Sequence, residues 1–235
     1  MLQIVQQAMD MIGVVRPSSL VGEADPDLRR MLATANRVGR ELAKRDWSVL
    51  QKEYTFTTTS GTTEYTLPTD WARSIDDTAY DVNEYERMRG SMTPQDWRYL
   101  KNTLGTSAYI NDTYRIKQNT SGNSRAWFID PAPASGKSLI YEYISKNWVL
   151  NSAGTVSRSS FAADNDKPIF DDLLFELGVI AYFKRETGLD YTTDYAEYQS
   201  ELDRVYAQDV PRRKQRTGGQ KLFLWGNIPE VGYGS

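Results

Sequence analysis

The sequence predicts an α+β chain: a helical bundle of two N-terminal and two C-terminal helices, an inserted mainly β domain, and an extended C-terminal arm. Three observations carry this. Apolar residues recur at helical spacing near both ends, within 26–46 and 169–206. From Leu50 to about residue 150 the period shortens to alternation, with Thr-rich stretches and turn residues between them. After Val210 the charge changes sign and the periodicity stops. The expected parts are 1–48 with 165–209 as the bundle, 49–164 as the β-rich insert and 210–235 as the arm.

Met1–Val14 reads as a short helix with two apolar rows, Leu2, Val5, Met9 and Ile12 on one, and Ile4, Ala8 and Met11 on the other. Asp25-Pro26-Asp27 then supplies an N-cap acid, a proline at the first helical position and a second acid near the positive helix end. The helix it opens, to about Asp46, turns Leu28, Met31, Leu32, Ala35, Val38, Gly39 and Leu42 inward. Its outer face carries Arg29, Arg30, Arg37, Arg40 and Lys44. That row suits either nucleic acid or an acidic partner, or a solvated face with local salt links to Asp27 and Glu41; the second is the commoner use.

In the insert, Tyr54 and Phe56, a Ser60-Gly61 turn, then Tyr65 and Leu67 predict a hairpin. Thr93-Pro94-Gln95-Asp96 starts a short helix to about Leu104. Further strands are expected over Ala108–Lys117, Arg125–Ile129 and Ser138–Val149, parted by Ser121-Gly122-Asn123 and Pro131–Gly136. Asn151–Lys167 reads as a polar connection.

Ile169–Tyr206 reads as two helices joined by a tight turn at Glu186–Tyr191. Phe170, Leu173, Leu174, Leu177 and Ala181 share one stripe of the first helix. Phe175, Val179 and Tyr182, with Phe183 beside them, form a second row opposite. A helix apolar on two sides needs two covers, and the expected second cover is a neighbouring copy. This makes Phe175, Val179, Tyr182 and Phe183 the expected subunit interface. The last helix opens on an Asp194/Glu197 box and carries one stripe, Tyr195, Tyr198, Leu202, Val205 and Tyr206.

Composition narrows the chemistry. At 235 residues, 25% charged and net −3, the chain falls in the ordinary soluble globular class. Its longest apolar run, about Gly178–Phe183, is far short of the roughly 20 residues of a membrane span, so no membrane role is expected. No basic segment precedes the first apolar residues and Asp10 interrupts them, so no secretory signal is expected. The 15 Tyr and 6 Trp suit large contact surfaces. There is no His and no Cys. Ser-His-Asp triads, His-ligated metals, thiolate nucleophiles and disulfides are thereby excluded, and no oxidising compartment is needed.

The acid pairs Asp76-Asp77, Asp164/Asp166 and Asp171-Asp172 are too close in sequence to flank one glycosidic bond well. Asp164-Asn165-Asp166 hints at calcium, but Pro168, Ile169 and Phe175 stand where an EF-hand loop needs a ligand, its glycine and its last ligand. No phosphate-binding glycine loop or dinucleotide fingerprint occurs. No enzyme activity, cofactor or metal is expected.

The arm departs in charge. Arg212, Arg213, Lys214, Arg216 and Lys221 against Glu230 give residues 211–235 a charge of +4, which leaves −7 to residues 1–210. A Gly218-Gly219 hinge leads into Leu222, Phe223, Leu224 and Trp225. Left uncovered, that apolar run invites aggregation. The segment is expected to dock on a partner, its cations steering and its aromatics anchoring.

Three stretches resemble one family, the head-to-tail adaptor proteins of tailed phages, also called tail tubular protein A in short-tailed phages. Tyr65-Thr-Leu-Pro-Thr-Asp-Trp71 is similar to that family's strand and exit, and Tyr143-Ile-Ser-Lys-Asn-Trp148 to its last long strand. Phe161–Val205, with Phe183-Lys-Arg-Glu-Thr-Gly-Leu-Asp-Tyr191 turning into a Tyr-rich helix, is the strongest match. The resemblance spans roughly residues 25–206. It implies a homo-oligomeric ring, typically a dodecamer, beneath the portal protein in the virion, made in the bacterial host cytoplasm. The ring joins the capsid vertex to a tail nozzle or tail tube protein and leaves a channel for double-stranded DNA, without sequence-specific binding. Such adaptors commonly reach the portal with a C-terminal arm. The expected portal-binding residues here are therefore Arg212, Arg213, Lys214, Arg216, Lys221, Leu222, Phe223, Leu224 and Trp225. The alternatives are a tail nozzle or baseplate subunit acting through its β domain, a polysaccharide-cleaving tail enzyme using Asp76, Asp77, Asp171 or Asp172, and a DNA-binding protein using the Arg30–Lys44 face.

Overall fold

The computed structural model of the protein describes residues 1–103 and 112–209. Its helices are α1 (Leu2–Ile12), α2 (Pro26–Leu42), α3 (Pro94–Thr103), α4 (Asp172–Thr187) and α5 (Thr192–Asp209), with a 3-10 turn at Ser48–Leu50. Strands run β1 (Gln51–Thr57), β2 (Glu64–Thr66), β3 (Trp71–Ser74), β4 (Tyr80–Asp81), β5 (Glu86–Arg87), β6 (Thr113–Gln118), β7 (Arg125–Asp130), β8 (Ser138–Ser145), β9 (Val149–Leu150), β10 (Ser157–Arg158) and β11 (Lys167–Pro168). The class is α+β with antiparallel sheets.

Local chemistry sets the helix ends. The Asp25 side chain accepts from the Asp27 and Leu28 amides, as the Asp-Pro-Asp start predicts. That helix stops at Leu42, short of Asp46, because Trp47 folds back and its indole N–H donates to the Leu42 carbonyl at 2.8 Å. Gly188, at φ 76°, terminates α4, and the Leu189 amide returns to the Lys184 carbonyl. The expected Asp194 box does not form: Asp190 accepts from the Thr192 amide, and Asp194 pairs with Lys184 at 2.8 Å instead.

α4 is the hub of the helical layer. Antiparallel α2 lies along it, with Thr34 and Arg37 donating to Glu186 near its C-terminus, while α1 packs on it and α5 folds back over it. Gly178 permits the closest approach. A Cβ there would stand 2.7 Å from Val38 Cγ1 and 3.0 Å from the Tyr198 ring.

Two sheets form the β body. β8 is the spine of the first, with β1 along one edge and β3 and β4 end to end on the other; β5 extends β4. The second is β2-β7-β6. Alternation along β7 builds three layers. Trp127 stacks between Tyr114 of β6 and Tyr141 of β8, at 4.0 and 4.3 Å, while Ala126 and Phe128 face Trp97 of α3.

The predicted hairpin is corrected. The turn at Thr59–Thr62 forms, but β1 pairs with β8 and β2 with β7, so the two strands lie in different sheets. Their aromatics still meet, Phe56 and Tyr65 lying 4.9 Å apart across the inter-sheet core. The polar connection 151–167 holds more order than its composition suggests, because β10 and β11 flank β9 in a small third sheet. The expected beginning of the Ala108–Lys117 strand, and Leu104, lie outside the described residues.

Candidate assembly surface

The three stretches that resemble the adaptor family converge where the β body meets the helices. Asp70, in the first, accepts from Lys52 Nζ at 2.7 Å, Tyr143 Oη at 2.9 Å and Ser145 Oγ at 2.8 Å, the last two from the second stretch. Burial by itself would raise the Asp70 pKa, but these donors outweigh it and hold the carboxyl below its ordinary value. Trp148 then leaves β8's end and enters the helical core, fully buried between Phe161, Phe170 and Phe175. Its six-membered ring lies over Gly39 of α2, where a Cβ would come within 2.2 Å. Leu50, Ile144, Val149 and Phe161 join the same core. One hydrophobic core therefore fuses the helices to the end of β8 and takes in these residues of the expected 49–164 insert.

Of the acid pairs, Asp164, Asp166 and Asp171 are structural. Asp164 takes the Leu20 and Val21 amides and the Ser19 hydroxyl. Asp166 takes the Ala162 and Ala163 amides and an ion pair from Arg158 at 3.5 Å. Asp171 caps α4 through the Leu174 amide. Of the α2 basic row, Arg30 pairs with Asp27, Arg37 with Glu186 and Lys44 with Glu41, so much of it is a face with local salt links. Among the described residues no group of three acids, His or Cys is placed to hold a metal, and no helix is long and apolar enough to cross a membrane.

The row expected to face a neighbouring copy is covered within the chain itself. Phe175 and Val179 are fully buried, and Tyr182 and Phe183 nearly so, inside their own chain. Phe175 packs on Trp148 and Phe161, and Tyr182 on Tyr195 and Tyr198, with Arg37 and Arg185 over its ring. The second apolar row is real, but the chain covers it with its own Trp148, Phe161 and α5. A periodicity count along one helix does not register such long-range covers. What the surface does expose, sequence reasoning had assigned inward or passed over. Met11 is 74% exposed and Leu173 51%, and on the β body Tyr85 and Tyr99 stand 71% and 59% exposed.

The expected portal-binding residues, Arg212 to Trp225, lie outside the described residues; the point from which they depart does not. Tyr206 sits edge-on to Trp47 at 5.2 Å, with the Arg45 guanidinium over its ring. Arg45 pairs with Asp203, and Asp209 takes both the amide and the hydroxyl of Ser48, at 2.6 and 2.5 Å. The last turn of α5 is thereby fixed to the junction between α2 and β1. Beside it opens a groove of about 470 Å³, floored by Ile75, Ile144 and Tyr206 and edged by Asp46, Asp76 and Asp209.

Among known families, the model described as SU10 adaptor protein matches residues 2–220. No curated protein matches the chain.

Proposed function

The chain belongs to the SU10 adaptor family of phages, and from that membership we propose that it is a non-enzymatic ring subunit beneath the portal, joining capsid vertex to tail around a channel for DNA. The role of a phage structural adaptor follows from the family; ring, portal contact and channel are our reading. The observation that carries it is the fixed departure point of a +4 segment bearing Phe223 and Trp225 from a body of opposite charge. Such a segment suits capture of a partner at a distance, with cations guiding encounter and Phe223 and Trp225 supplying buried anchors. The β body, with Tyr85 and Tyr99 outward, would receive the tail. A ring of typically twelve copies fits the family resemblance.

Light scattering on the purified chain, alone and mixed with its phage's portal protein, tests this. The expected result is a large complex with portal, and none after deletion of residues 211–235, with circular dichroism unchanged. Portal binding that survives the deletion would sink the arm's role. No complex in either case would move the function to the β body, as in a nozzle or baseplate subunit.

A further inference from the structure

The groove at the end of α5 has an unbalanced rim. Of the charged residues edging it, Arg73 is committed to Asp46 at 2.7 Å and to the Arg45 carbonyl at 2.8 Å. Among the described residues, Asp209 is held by Ser48 alone and no cation is paired with Asp76. The rim thus keeps two uncompensated carboxylates above an apolar floor of Ile75, Ile144 and the Tyr206 ring. The chain leaves from that rim. The residues after Asp209 are Val210, Pro211, Arg212 and Arg213, two apolar then two cationic. Four residues reach at most about 14 Å, so this tetrapeptide cannot stray far from the groove.

We infer that the groove is the seat of the arm's first residues: Val210 and Pro211 cover Ile75, Ile144 and Tyr206, while Arg212 and Arg213 pair with Asp76 and Asp209. Order of charge, order of polarity and chain continuity all select this occupant over a foreign peptide. The seat sets the origin and direction from which residues 214–235 extend, and a fixed origin reduces the ordering that docking must impose. That consequence rests on the adaptor reading; the seat itself does not.

Limited trypsin digestion of the full chain, with fragments identified by mass and a synthetic peptide of residues 208–225 as the intrinsic-rate reference, reads the seat directly. Relative to the peptide, cleavage after Arg212 and Arg213 should be about threefold to fivefold slower than after Arg216 and Lys221, the scale of a few weak charge contacts. Asp76→Asn, which removes the charge without adding a trypsin site, should at least halve that difference while leaving cleavage after Lys221 unchanged. Equal relative rates at all four sites in the wild-type chain, or no response to Asp76→Asn, overturn the inference. Portal binding, followed on the same samples, separates the two claims. A protected Arg213 in a chain that ignores portal would leave the seat standing and remove the function.

Discussion

Replacing Gly39 by alanine tests the fusion of the two halves at its tightest point. In an ordinary helix interior this change stabilises by about 1 kcal/mol, through helix propensity. Here the new Cβ would stand 2.2 Å from Trp148 Cη2 and Cζ3 and 2.4 Å from Cζ2. Relaxed carbon contacts lie near 3.5 Å, so one partner must yield by about 1.3 Å. Trp148 has little room to yield: it is fully buried, with Phe161 edge-on at 5.0 Å and Phe175 at 6.1 Å. Overpacking of this kind typically costs about 1–3 kcal/mol, and a clash with three ring atoms belongs at the upper end. After the propensity gain, the expected net loss is about 2 kcal/mol. For a chain of this length that lowers Tm by about 4–8 °C. Urea unfolding followed by far-UV circular dichroism measures it. A companion Trp148→Phe shortens the ring, so Gly39→Ala on that background should cost at least about 1 kcal/mol less. If Gly39→Ala leaves stability unchanged or raises it, the close packing of α2 on Trp148 is refuted.

Two further predictions follow from the β body and its junction. Trp127→Ala should lose about 3–5 kcal/mol, since it removes the ring stacked between Tyr114 and Tyr141 and with it the contact joining the sheets; thermal unfolding reads this, and a loss under about 1 kcal/mol would contradict the layering. Asp70 has a folded pKa below its unfolded value, so its contribution is present above the unfolded carboxylate range near 4 and fades as pH falls through the folded pKa. Stability of the wild type should therefore drop more steeply below about pH 4 than that of Asp70→Asn. Parallel curves over that window would mean that Asp70 is not the linked group.

The sequence alone determined most of what has a local cause, the Asp194 box being lost because Asp194 pairs with Lys184 instead. The Asp25-Pro26-Asp27 start, the Gly188 stop, the Thr93 cap and the inward stripe of α5 at Tyr198 and Leu202 appear where their chemistry puts them. The zero counts of His and Cys bounded the chemistry just as directly. The adaptor likeness was also legible, because it lies in stretches with a fixed order. Pairing and coverage were not. Tyr54 to Leu67 has the alternation of a hairpin, yet alternation fixes only which face a residue takes, and the partner strand of β1 lies in β8, some eighty residues on. Phe175, Val179, Tyr182 and Phe183 formed the second apolar row of α4, but whether another copy or the same chain covers them depends on contacts distant in sequence. Trp148 and Phe161, from the end of the β body, and α5 cover them within the chain. The arm's root shows the same division. Its charge and aromatics were written in the sequence, whereas the clamp of Tyr206 and Asp209 onto Trp47 and Ser48 joins residues about 160 positions apart and exists only in the folded chain. Burial drives such contacts without direction, so only the closed tertiary structure decides which apolar surfaces meet.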